Sequence, residues 1–246
     1  MHLASTYLNG EFGAGAAFTP FTAAQTNSLR NALLDDARAY LYSGAISLAE
    51  AVNGADADAF SWSSVKAYYA TFYALRALLA SEGWAILYRG SKPFVAEALS
   101  GQMITKAKGN THELVLELFS TKFPNHPLLS QEIASENPLD WIKRRREEAN
   151  YTRARFVEPE IPRHFKEIKR LGVRKALSAY VADDYYTFDS DHSILAFPLT
   201  TLRVSLDRLR SITGFHLSAD DARFVAHICK DKGGPMTPFA SIFAGP

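Results

Sequence analysis

The sequence predicts an all-α protein: an antiparallel helical bundle, then a helical extension with a short β-hairpin. Three observations carry this. Residues 61–84, SWSSVKAYYATFYALRALLASEGW, hold no proline, and no glycine before Gly83, and are dominated by strong helix formers. Their apolar groups recur at Val65, Tyr68/Tyr69, Phe72, Leu75 and Leu79, at helical spacings of three and four. Ala67, Ala70, Ala74 and Ala77 fill the other faces, so the helix is packed on several sides.

Taken in order, residues 1–21 are rich in Gly, Ala and Thr and read as an irregular arm whose Phe12, Phe18 and Phe21 dock either on its own domain or on a partner. A first helix is expected from Thr22 to Asn53, with Leu29, Leu33, Ala37, Leu41, Leu48 and Val52 inward and a kink at Gly44. The central helix follows, with Ser61 as its N-cap and Gly83 as its stop. Arg76 lies on its apolar stripe. Either its stem packs while the guanidinium reaches the edge, or it pairs with a buried carboxylate.

Residues 84–90 read as a strand or extended connection, and Pro93 to Leu99 as a short helix with proline in its first turn. Thr111 opens another helix, and Leu128 to Ser135 a short one. The last helix of the bundle is expected from Asn137-Pro138 to Phe156, with Ile142, Ala149 and Phe156 as its core stripe and Pro159 and Pro162 beyond it. The bundle thus spans residues 22–157, and residues 158–246 form the extension and tail. There, 163–182 reads as a basic helical stretch, and 183–198 as a β-hairpin or long loop. Leu199–Ile212 reads as an amphipathic helix, and Ser218 caps another. The tail is expected to dock through Phe239 and Phe243.

Composition narrows the function. No apolar run approaches ~18 residues, so no membrane span is expected. The amino terminus does not read as a signal peptide. The single Cys229 excludes an internal disulfide and suits a reducing cytoplasm. There is no glycine-rich phosphate loop, no Cys/His zinc spacing and no G-x-S-x-G. The cluster Asp183, Asp184, Asp189 and Asp191 lacks a glycine at the calcium-loop spacing. No metal or cofactor is expected.

The net charge of +1 hides a segregation. Residues 143–175 hold twelve Lys/Arg against five Asp/Glu, which leaves the remainder of the chain acidic. Such a stretch is either a solvated helix face or the footprint of a phosphate backbone. On the helix within it, Arg146 and Arg153 fall on the side of the core stripe, with Arg145 beside them. Guanidinium groups so placed need carboxylates, carbonyls or a ligand phosphate.

Two patches carry a family resemblance. AYYATFYALRALLASEGW and Arg146-Glu-Glu-Ala-Asn-Tyr151 resemble, in that order, the second and last core helices of HEPN-like proteins, in the branch with A-Y-Y-A-x-F-x-A-x-R-A-L-L and R-x-x-A-D-Y motifs. The resemblance covers about residues 30–157. It implies a HEPN-like bundle in a prokaryotic toxin–antitoxin or anti-phage defence system. It also implies a homodimer or a complex with a larger effector, and metal-independent RNA cleavage by an arginine and a histidine. By this resemblance Arg146 contacts phosphate with Asn150 and Tyr151 as helpers, while Arg144, Arg145, Arg153 and Arg155 add charge toward RNA. The sequence departs from the pattern where it matters. Tyr151 stands in the place of the histidine, and Asn150 in that of the aspartate. An ideal helix also sets Tyr151 ~140° from Arg146, and His164 lies past two prolines. His112, in a first helical turn near where related sequences tend to carry a histidine or lysine, reads as a surface or packing residue rather than a ligand. The alternative is an inactive HEPN-like scaffold that dimerises or docks on an effector.

Overall fold

The computed structural model describes residues 2–13, 17–152, 154–183, 187–215, 217–228 and 238. Among these the protein is mainly helical, with one small antiparallel sheet.

Helix α2 (Ala23–Asp56) starts at a capping box, in which Thr22 accepts from the Gln25 amide and Gln25 returns the bond. Three residues later α3 (Phe60–Ser81) runs back along it, and the Ser63 hydroxyl reaches the Ala51 carbonyl at 2.6 Å. Helix α8 (Ser193–Thr213) closes the layer against both. Gly44 sits where the three helices meet. A Cβ there would lie 3.1 Å from Leu202 Cδ1 and 3.4 Å from the Ala70 carbonyl, so close approach, rather than a kink, requires the glycine. Ser205 donates to the Ala74 carbonyl at 2.8 Å across the same contact. Residues Tyr68, Ala70, Ala74, Leu75 and Ala77 are fully buried, as the all-round apolar pattern of α3 requires.

Four local expectations are corrected. The arm contains helix α1 (Leu3–Phe12), which buries Ala4, Leu8 and Phe12. Its free amides are met from outside: the Asp36 carboxylate accepts from Leu3 and Ala4 at 2.7 and 3.0 Å. Pro93–Leu99 is not helical. Strands β1 (Trp84–Arg89) and β2 (Lys92–Glu97) form a hairpin turned at Gly90 (φ 58°), and β3 (Thr105–Lys106) adds to β2. Pro93 is tolerated at the beginning of its strand. Residues 128–135 hold only a 3₁₀ turn at Pro127–Leu129 and a tight turn closed by Ile133 and Glu136. The described part of 183–198 is not a hairpin, because α8 begins at Ser193 and runs through Pro198.

Helix α4 (Thr111–Lys122) has Asn110, not Thr111, as its cap, in a box with Glu113. Helix α5 (Pro138–Glu147) starts at an Asn137 cap and ends early: Glu148–Thr152 widen into a π-turn and the helix stops there. Of its expected core stripe Ile142 is buried, Ala149 half-buried and Phe156 48% exposed. Beyond it come α6 (Lys166–Leu171), α7 (Val173–Ala182) and α9 (Ala219–Ile228), the last capped by Ser218. Glu158 reaches back to the amino end of α3, accepting from the Ser61 amide at 2.6 Å and its hydroxyl at 2.7 Å. Ser61 is therefore the second residue of α3, capped by a distant carboxylate rather than itself the cap. Cys229 and the tail with Phe239 and Phe243 lie outside the described residues.

Candidate functional site

Three elements meet where α5 widens. Helix α3 supplies Tyr68, Tyr69 and Phe72; α4 supplies His112 from its first turn; the end of α5 and the π-turn supply Arg146 and Tyr151. The Arg146 guanidinium lies 4.8 Å from the Tyr68 ring centre and 5.8 Å from that of Tyr151. Bonding in a π-turn runs from a residue to the fifth beyond it, so groups five apart become neighbours. The widened turn thus joins Arg146 to Tyr151, which an ideal α-helix would have separated. Tyr151 is 73% exposed and Tyr69 partly so, leaving aromatic surface beside the cation.

His112 packs against Phe72, with ring centres 4.5 Å apart, and against Tyr69 at 5.6 Å. Its Nδ1 is 3.1 Å from the Tyr68 hydroxyl. Burial, then the charges of Arg146 and Arg76, hold the imidazole pKa below its usual value, so it is neutral near pH 7. Burial drives the Tyr68 phenol well above its ordinary range, against the pull of Arg146, so it stays protonated.

The basic run divides by partner. Lys143 faces Glu147 at 3.9 Å, Arg144 pairs with Glu136, and Arg145 pairs with Glu148 at 3.0 Å. Arg146 has no carboxylate or hydrogen-bond partner among the described residues, and its Nε is buried and unsatisfied. A guanidinium held on aromatic rings without an acceptor is an anion site in waiting.

Of the other residues singled out in the sequence, Asn150 lies in the π-turn and its side chain bonds to nothing among the described residues. Arg145 and Arg155 line a separate cavity on the other side of the segment, and Arg153 lies outside the described residues. The chain does fold back after Pro162, but it brings His164 to Ser64 and the Arg145 side. Arg76 follows neither expectation fully: half-buried, it donates to the Tyr40 hydroxyl at 2.6 Å and lies 4.1 Å over that ring.

Sequence reasoning did not place His112 or Tyr68 beside Arg146. Tyr68 reads as core, which it is, and His112 as a surface or packing residue, and it does pack on Phe72. Only the crossing of α4 over α3 joins them, and no spacing encodes that crossing.

No family model matches this chain, and no curated protein or solved structure matches it either.

Proposed function

We propose that this is a HEPN-like RNA-binding protein that cleaves RNA without a metal ion. The observation that carries the reading is the unpaired Arg146 guanidinium, set between Tyr68 and Tyr151 and beside a neutral His112. The helical layer and the ordered pair of motifs on α3 and α5 support it.

Arg146 takes a phosphate, and the exposed ring of Tyr151 stacks a base. His112 accepts the proton of the adjacent 2′-hydroxyl as its oxygen attacks phosphorus. The 5′-oxygen leaves and takes a proton from water, and the hydroxide so formed takes the proton back from His112, giving a 2′,3′-cyclic phosphate, a 5′-hydroxyl and a neutral imidazole. Arg146 stabilises the charge that builds on the phosphoryl oxygens. The setting, a cytoplasmic toxin–antitoxin or anti-phage system, follows from the family resemblance, as does a homodimer or effector complex. Among the described residues no helix is long and apolar enough to cross a membrane.

The test is incubation of the purified chain with mixed cellular RNA in EDTA. Wild type is expected to cut, leaving cyclic phosphate ends. Arg146→Ala and His112→Ala should lose at least ~100-fold in rate while keeping the fold. Undiminished cutting by Arg146→Ala would remove the assignment.

A second reading, the inactive scaffold, draws on one observation. Trp62 and Phe156, 53% and 48% exposed, meet edge-on at 5.8 Å and offer a partner apolar surface. No cutting and no RNA retention by a folded wild type would favour it.

A further inference from the structure

Behind the segment that carries Arg146 lies a cavity of about 270 Å³. Phe60 and Ser64, from the first turns of α3, line it, and both are buried. The π-turn closes it with Glu148, Ala149 and Thr152, so the turn that presents Tyr151 outward also forms a wall here. Phe156 lines it as well and leans on Trp62. None of the groups at the Arg146 site lines it.

Its chemistry is amphiphilic. Phe60, Phe156, Val157 and Pro162 give it an apolar body. Two guanidinium groups border it. Arg145 packs 5.5 Å from the Trp141 ring centre and is tied to Glu148, but its Nε is buried without an acceptor. Arg155 is exposed and has no ion pair among the described residues. Against these two cations stands Glu148. Glu158, the next acid, is held by the Ser61 amide and hydroxyl at the positive end of α3. Among the described residues one cation is left uncompensated.

Ser64 and His164 meet in the same cavity, with Oγ 3.2 Å from Nε2. They are not arranged as nucleophile and base. The Ser64 hydroxyl donates to the Phe60 carbonyl at 2.9 Å, the usual bond of a serine within a helix, so it accepts from the imidazole. The cavity is built for binding.

We propose that this cavity binds a small organic anion, with a flat apolar body between Phe60 and Phe156 and a carboxylate or phosphate between Arg145 and Arg155. The volume lies just under the ~300–1,000 Å³ typical of ligand pockets, so the occupant is a single ring system with a short acidic arm.

Two probes separate the two acid types: indole-3-acetate and phenyl phosphate, each titrated calorimetrically into the full chain, with neutral indole-3-acetamide as control. At least one acid is expected to bind one-to-one, and the acid that binds alone or more tightly names the head group. The amide should bind about tenfold more weakly than indole-3-acetate wherever the latter binds. Arg155→Gln, on an exposed and unpaired side chain, should weaken binding about tenfold with an unchanged melting temperature. Ala149→Leu fills the cavity and should abolish binding. Binding by neither acid, or binding that neither variant disturbs, overturns the proposal. RNA cleavage is not read in this experiment, so its outcome is independent of the role of Arg146.

Discussion

Arg145 and Arg146 are neighbours in the chain and opposites in the fold. One residue of α-helix is ~100° of rotation, enough to send them to different sides of the segment. Arg145 packs on Trp141, pairs with Glu148 and borders a cavity lined by His164, which meets Ser64 there. Arg146 lies on Tyr68 and Tyr151, has no carboxylate partner among the described residues, and shares its surroundings with the half-buried His112. Both Nε atoms are buried and unsatisfied, so burial alone does not distinguish them. The carboxylate does. An arginine that carries its own counter-ion is anchored in the scaffold before any ligand arrives, and one that lacks it has its whole charge left for an anion from outside.

The largest expected effect separates the two histidines. Burial, then the charge of Arg145, brings the His164 pKa down to about 3 from an ordinary 6.5. Between those values the unfolded chain binds a proton that the folded chain refuses. Stability is therefore full above pH 6.5 and falls as the pH drops toward 3, by a few kcal/mol in all. Urea unfolding of wild type and His164→Gln at pH 7, 5 and 4 checks this. The variant should start less stable, because it loses packing, and should show the flatter decline. Parallel declines would mean that His164 is not held neutral. His112, whose pKa is also lowered, acts in the same direction, so some slope remains in the variant.

How much of this was legible in the sequence depends on whether the determining contact is local. Helices α2 and α3 were readable because their apolar spacing and the Thr22 and Gly83 boundaries are written within each segment. The hairpin at 84–97 was half readable: the aromatic run of β1 looked extended, but Pro93 suits a helix start as well as a strand start. The start of helix α8 was misjudged because aromatics and acids alternate along 183–198, whereas burial of Ile194, Leu195 and Phe197 against the bundle carries the helix through Pro198. Helix α1 was missed because its determinant is also distant: the Asp36 carboxylate that caps its amino end lies 33 residues from Leu3. At the site, Arg146 and Tyr151 were legible as a motif. Their juxtaposition was not, because an ideal helical wheel has no place for a π-turn. His112 needed the tertiary crossing of α4 over α3.

The next effect tests the carboxylate rule directly. Arg145→Ala removes packing on Trp141 and strands Glu148, and should cost about 1–2 kcal/mol in urea unfolding at pH 7. Arg146→Ala removes a cation with an unsatisfied Nε and should stay within about 0.5 kcal/mol of wild type, or gain slightly. Equal losses would erase the distinction between scaffold and waiting arginine.

The smallest effect concerns Tyr151, which the π-turn carries out to solvent beside Arg146. If its ring serves as a stacking surface, Tyr151→Ala should weaken single-stranded RNA binding by about 1 kcal/mol, roughly fivefold at fixed salt, and Tyr151→Phe should bind as wild type does. A fluorescence anisotropy titration of a labelled oligonucleotide distinguishes the variants. Loss in both would shift the role from the ring to the phenol hydroxyl, and loss in neither would leave Arg146 to hold the phosphate with Tyr68 alone. In either case the turn would have to be explained by what it does on its other side, where Glu148, Ala149 and Thr152 close the cavity.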